Sequence, residues 1–558
     1  MNKNINKGTS LLKFFCTYIG LFYIFTILFS YFQYTIFLKV DYLGFFAASI
    51  LLVAYYMLFD RNLKIYCDKN TLVFIPLGLV YFLFLYLFLY ALPFFPLLPS
   101  MDFFIHLSNT LNLLKGGTNF MPLSANPGIA LLLANWLSLG FENILFASRL
   151  FMIIILWSTL PFVFVLGNNI KGSMGGIISS VSYIFFNPFF YFTIVETGLY
   201  SNALGLLFCL LTFYWFTEFI DKTSLKGCIL MFFSGWILLL SHSSNVLIFP
   251  TLLFSAYYLM AVEGKKIFWP NLFAFFLSVL IVAGLNVQLI SRLPSTLSGP
   301  LAVFGTSLDP ISKYLSIIPI LEYMYNLHPL TVYLFFLSLV AALISIYKRK
   351  FGFNVLPFFW LMLITVVSYF STNVIRFSLI AFTPLSLFAS QVYITVLEPL
   401  YLHLKKILPT NKMKAILKFE GIIFIIVILI LANLQDPYNF TWPLNVATWS
   451  REQQFGFYEA LVWFKENSEA NAVAISIGGH PMLYLPLIAN RTFLGRFPSE
   501  EPKFAYDVLK NYSNGYVVVW NRLHPYNGSF YYVDLYKNSS LFREVWANEE
   551  VTVFKVVK

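Results

Sequence analysis

The spacing of its apolar runs limits this chain more than any other feature. Leu72 to Phe95 passes without one charged residue, and comparable stretches recur over residues 11–434. A helix needs about 20 apolar residues to cross the hydrocarbon core of a bilayer, and only there do so many such helices find a suitable solvent. The template predicts spans at 11–38, 42–59, 71–95, 145–167, 173–192, 198–218, 227–241, 244–262, 267–290, 330–347, 353–371, 377–398 and 417–434, thirteen in all. The expected fold class is therefore a polytopic α-helical membrane protein, residues 1–435, followed by a C-terminal extracytoplasmic α/β domain, residues 436–558. A composition of 59% hydrophobic and 11% charged residues excludes an ordinary soluble enzyme.

The net charge of +11 invites a nucleic-acid reading until the chain is divided at Asp436. Residues 1–435 hold 25 Lys/Arg against 13 Asp/Glu, and the remainder 11 against 12. The excess belongs to the membrane part, where basic residues collect in loops that are not translocated. With the N-terminus cytoplasmic, 19 of those 25 cations fall on inner segments and six on outer ones. No nucleic-acid partner is expected; the bilayer itself is. The basic N-terminus leads into an apolar stretch without a small-residue cleavage site, so it reads as a retained first span of a multi-pass plasma-membrane protein. The four cysteines, Cys16, Cys67, Cys209 and Cys228, form no C-x-x-C pair, so neither a disulfide framework nor a zinc site is indicated.

Two segments, 103–116 and 127–140, break the alternation if counted as spans, and are expected as amphipathic or re-entrant helices on the outer surface; residues 291–328 form a long outer loop. The tail carries N-x-S/T acceptors at Asn439, Asn490, Asn511, Asn527 and Asn538, five of its 11 asparagines, whereas none of the 23 asparagines before Asp436 qualifies. That bias marks an extracytoplasmic, glycosylated surface. In the tail, Phe457, Leu461 and Phe464 form one helical stripe, "AVAISI", "GYVVVW" and "VTVFKVV" read as strands, and "KFAYDVLKNY" as a helix.

Ionisable residues are costly within a bilayer, and here they gather at the outer ends of the spans rather than at the midplane, where a secondary transporter holds its site. Asp102 and His106 stand at i and i+4 on one helical face, with Asn109 next, while Phe103, Leu107, Leu111 and Leu114 make an opposite, lipid-facing stripe. Asp102 can act as a general base toward an acceptor hydroxyl, or simply complement its helix N-terminus. His106 and Glu196 are auxiliary acid or base candidates, with an interfacial histidine and a cap-region acid as their plainer readings. Arg376 opens a span at its outer end, where a guanidinium can grip a lipid phosphate or snorkel; Arg292 is a second outer cation placed for phosphate. A divalent metal would draw on Asp102, His106 and Glu196, yet no D-x-D spacing occurs in the outer loops, so no cofactor is predicted.

These elements occur in a telling order: "DFFIHL" after an early span, a Gly-Gly end, then "NPG", "SRL", "E-x-x-x-Y-x-N-A-L" from Glu196, a mid-chain "SH" and an outer "RFSL". Over roughly residues 70–400 this resembles the C-type glycosyltransferase superfamily (GT-C), particularly archaeal members. The resemblance implies a GT-C-like membrane domain, a polyprenyl-phosphate-linked sugar as donor, and an acceptor, as yet unidentified, at the outer surface. Asp102 matches the family's catalytic acid, and Arg376 resembles the arginine that contacts the carrier phosphate. The tail is also similar to the soluble domain of oligosaccharyltransferases, but it reads "ISIGGHPM" where that family carries Trp-Trp-Asp-Tyr-Gly, so transfer of whole glycans to sequons is not implied. Two other classes stand beside this one: a transporter or flippase of lipid-linked sugars, which would use polar midplane residues such as Asn286, and a noncatalytic scaffold presenting the glycosylated tail.

Overall fold

The computed structural model describes residues 8–91, 101–116, 127–141, 144–185, 200–285, 329–348, 351–370, 374–399, 403, 451–477, 485–496, 501–521 and 531–557. The chain divides into two compact units. One comprises Met1–Leu87, Asn109–Ile194 and Tyr200–Thr441; the other Phe88–Ser108, Val195–Leu199 and Trp442–Lys558.

The first unit is helical. It contains α1 (Leu11–Phe37), α2 (Leu43–Tyr55), most of α3 (Lys69–Ala91), the carboxyl half of α4 (Met101–Lys115), α5 (Pro127–Leu137), α6 (Ile144–Phe185), α7 (Tyr200–Phe219), α8 (Leu225–Ser241), α9 (Ile248–Ala261), α10 (Trp269–Leu285), α11 (Pro329–Tyr347), α12 (Val355–Phe370) and α13 (Val374–Val392). Local chemistry sets several boundaries. Ser10 caps α1 by accepting from the Lys13 N–H, and Leu38 closes it in a left-handed conformation with its N–H donating to the Tyr34 carbonyl; Ser224 caps α8 through the Gly227 N–H at 3.0 Å. Among the described residues, five helices are long and apolar enough to cross a bilayer: Leu11–Phe37, Leu43–Asp60, Lys69–Tyr86, Ile144–Ile170 and Tyr200–Phe219. The span expected at 417–434 lies outside the described residues.

Helical residues run unbroken through α6, yet it is not one rod. Gly172 has φ +61, and a Cβ at Gly167 would stand 2.6 Å from the Gly175 carbonyl, while one at Gly176 would stand 2.9 Å from that of Phe164. Residues 12 apart on a straight helix are about 18 Å apart, so α6 is a hairpin folded at Gly172, and its limbs correspond to the separate spans expected at 145–167 and 173–192.

Helix ends meet at two poles. At the first, Lys13 pairs with Glu218, which also faces Lys222 at 3.7 Å; Lys226 pairs with Asp60 at 2.6 Å, and Tyr18 donates to Asp60 at 3.1 Å. Ser173 bonds Asn70 at 2.6 Å, the Phe268 N–H donates to the Ile220 carbonyl at 2.6 Å, and the Phe351 N–H donates to Glu263 at 2.9 Å. Asn354 bonds Gln391 at 2.5 Å, and Asn354 and Phe353 line a cavity with Asn169 and Thr217. The starts of α1, α3, α8, α10 and α12, the ends of α2, α7, α9 and α13, and the α6 turn thus gather together, which is the alternation the basic residues imply.

The opposite pole holds α5 and the carboxyl half of α4. Thr110 donates to the Ala130 carbonyl at 3.4 Å, and Val40 to that of Leu113 at 3.0 Å. Helix α5 differs from an amphipathic surface helix: Ile129 to Ala134 are all essentially inaccessible, Asn135 and Leu137 are buried, and its 11 residues span about 16 Å, too short to cross. The "NPG" start, with Pro127 as the first helical residue, inserts it among α1, α7 and α8. Leu107 in α4 is likewise buried in protein rather than lipid-facing, because its position packs inward together with His106.

In the second unit, α14 (Arg451–Asn467), α15 (Pro502–Leu509) and α16 (Tyr531–Lys537) flank a five-stranded sheet. Leaving β1 and β2 for the short pair Gly8–Ser10 and Lys64–Tyr66, its strands are β3 (Val473–Ile477), β4 (Thr492–Arg496), β5 (Gly515–Trp520), β6 (Phe542–Ala547) and β7 (Val551–Val556), in the order β4-β3-β5-β7-β6. β3 runs parallel to β4 and β5, and β7 antiparallel to β5 and β6. One face packs Ile475, Val517 and Phe554 against Leu509 and Tyr536; α14 covers the other with Phe457, Leu461 and Phe464, all inaccessible. Strands β4 and β6 and helix α16 escape the sequence patterns; β6 does so because it buries only Phe542 cleanly and its bulge breaks the period of two.

Candidate functional site

Asp102 is the second residue of α4, and His106 lies one turn on. The backbone of Asp102 is described, its side chain is not. His106 is 8% exposed, and burial lowers its pKa to about 4. At neutral pH it is therefore an uncharged imidazole, one donor and one acceptor, and not a proton-donating imidazolium. Arg376 is the third residue of α13, again with only its backbone described. Glu196 and Arg292 lie outside the described residues, as do Asn439 and Asn527. Asn490, Asn511 and Asn538 are exposed on the second unit, Asn490 with φ +53.

The sequence elements that looked scattered converge in the helical unit. A Cβ at Gly128, of "NPG", would stand 3.1 Å from the Leu240 carbonyl, next to "SH", and 3.4 Å from Leu204, the end of "YSNAL". A Cβ at Gly205 would stand 2.9 Å from that of His242. Asn245 donates to the Leu238 carbonyl at 3.1 Å and to Ser241 at 2.9 Å, and Cys209 donates to its carbonyl oxygen at 3.2 Å. Arg149, of "SRL", lies within electrostatic reach of Tyr200, the first residue of α7, and both are buried. The sequence shows "SRL" and "SH" only as separate motifs in order along the chain. What joins them is packing between distant helices, which becomes legible only once the helices are paired.

Among the described residues, no group of three or more His, Cys, Asp or Glu side chains converges.

No protein-family model matches the chain, and no curated protein matches it. Among solved structures it is similar to the archaeal oligosaccharyltransferase AglB from Archaeoglobus fulgidus, determined with an inhibitory peptide and a dolichol-phosphate, and to the Archaeoglobus fulgidus oligosaccharyltransferase in the apo form. Each likeness has a TM-score of 0.46 and 13% identity, and covers 80% of this chain and 69% of the other.

Proposed function

We propose that this chain is a membrane glycosyltransferase that moves a sugar from a polyprenyl-phosphate-linked donor to an acceptor at the outer membrane surface. Thirteen spans, a cytoplasmic N-terminus and an extracytoplasmic tail belong to the same reading, and so does glycosylation of the tail at its five sequons. Asp102 takes the acceptor proton as the acceptor oxygen bonds to the sugar's anomeric carbon. The bond from that carbon to the carrier phosphate breaks, and Arg376 and Arg292 stabilise the charge left on phosphate. Phosphate is already a competent leaving group, so this scheme requires no metal.

The observation that carries the reading is the meeting of "NPG", "YSNAL" and "SH" at the pole where α4 docks, opposite the pole that gathers the lysine pairs. Cells holding the native chain or Asp102→Asn at matched expression test it through mass spectrometry of protein-bound and lipid-bound glycans. A truncated glycan confined to the mutant is the expected result. Identical glycans in a host without a second such enzyme overturn it.

A further inference from the structure

The second unit carries an aromatic platform that neither the fold nor the transfer reaction uses. Trp463 on α14 and Trp546 on β6 lie nearly parallel, their rings 6.2 Å apart at 27°, with Tyr516 edge-on to Trp463 at 6.3 Å. Neighbouring side chains of α14 are buried beneath them, whereas both indoles are only partly covered. Among the described residues, neither indole N–H has a hydrogen-bond partner. Each indole keeps part of its ring surface in water, at about 25 cal/mol per Å² of apolar area left unburied.

A local irregularity builds the platform. β6 is an edge strand, and its register with β7 shifts between Glu544 and Trp546. Bulges at sheet edges re-aim a side chain, and this one falls at Trp546, which stacks on Trp463. The surroundings are polar. Glu469 accepts from the Tyr516 hydroxyl at 2.6 Å and pairs with Lys555, whose ammonium lies 5.3 Å from the centre of the Tyr516 ring. Asn514 bonds Asn471 at 2.7 Å, and Asn471 bonds Ser513 at 3.2 Å. The ammonium of Lys555 has three donors, so it retains capacity for a ligand.

We infer that Trp463 and Trp546 form a saccharide-binding platform, with Lys555 and the indole N–H groups contacting the hydroxyls of one pyranose ring. A pyranose has an apolar C–H face and a rim of hydroxyls, which matches stacked rings bordered by donors and acceptors. Lys555 argues against a cationic ligand. An apolar peptide would leave the Glu469–Lys555 pair and the amides without water, at a desolvation cost. The tail's 11 cations against 12 acids provide no net attraction to an anionic membrane. A neutral sugar fits all three conditions.

Saturation-transfer NMR on the full chain in nanodiscs tests the site, with methyl β-glucopyranoside, methyl α-mannopyranoside and N-acetylglucosamine as probes at millimolar concentration. At least one probe is expected to receive saturation at its ring C–H protons. That transfer should fall at least fivefold in Trp546→Leu and Trp463→Leu, which keep apolar bulk, and persist in Trp546→Phe, which keeps the ring. The inference is overturned if all three probes stay silent in the native chain, or if both Leu variants retain transfer. It is also overturned if lipids with brominated headgroups quench these two indoles in the nanodisc, which makes the platform a membrane contact. Asp102→Asn should leave sugar contact unchanged, so loss of turnover and loss of this site read separately.

Discussion

At one pole of the helical unit, Lys13, Asp60, Glu218, Lys226 and Glu263 are joined in pairs and caps that tie helix ends together. At the other, Arg149, Tyr200 and His242 are buried among glycine contacts that draw α5, α7 and α8 close. The difference teaches that ion pairs and close backbone approach are two separate ways of joining helix ends. The charge-rich pole satisfies its own groups, while the other gathers buried polar side chains through backbone approach.

Five substitutions would break or sharpen that contrast. The largest effect is expected from Asp102→Asn, which should cut sugar transfer by two orders of magnitude or more while thermal unfolding in detergent stays unchanged; unaltered turnover would remove the catalytic assignment. Lys226→Met comes next. It leaves Asp60, 4% exposed, without its cation, and should destabilise the fold by about 3 kcal/mol, with activity per folded molecule retained. If that variant lost activity before stability, the two poles would not be separable as structure and site.

Gly205→Val should act in the opposite sense. Its Cβ would already press on His242 and Asn245, so overpacking of about 1–3 kcal/mol is expected together with reduced transfer, whereas Gly284→Ala, where nothing lies within 4 Å, should leave transfer near native. The smallest effect lies in the second unit. Burial alone would raise the Glu469 pKa, but hydrogen bonds from Lys555 and Tyr516 hold it at about 2, against an ordinary 4.5. The folded state thus binds fewer protons than the unfolded one, and this contribution, complete above pH 4.5, is lost as pH falls toward 2. Circular dichroism of native protein and Glu469→Gln across that window should show a shallower loss in the variant, and parallel curves would refute the link.

Much of the fold was legible because apolar runs and basic loops report one-dimensional facts. The five described helices of membrane length, the alternation of helix ends and the stripe of Phe457, Leu461 and Phe464 follow from period and composition. The α5 segment was not legible: "PGIALLLANWL" is apolar all round, and whether such a helix crosses, lies on the surface or inserts among others depends on its neighbours. Asp102 could be nominated from its face of α4, but the neutrality of His106 could not, since only burial sets it. Trp463 and Trp546 are 83 positions apart, and no local pattern joins them.

The sequence by itself determined that this chain is built from membrane-length apolar helices with an α/β tail, because hydrophobic period and charge exclusion act residue by residue. Tertiary structure alone decided that α6 folds at Gly172, that α5 is buried, and that residues 128, 149, 204 and 242 belong to one pole. The reason is physical. Close approach of backbones at glycine and removal of water from a side chain are properties of pairs of distant segments, and neither exists until the segments pack.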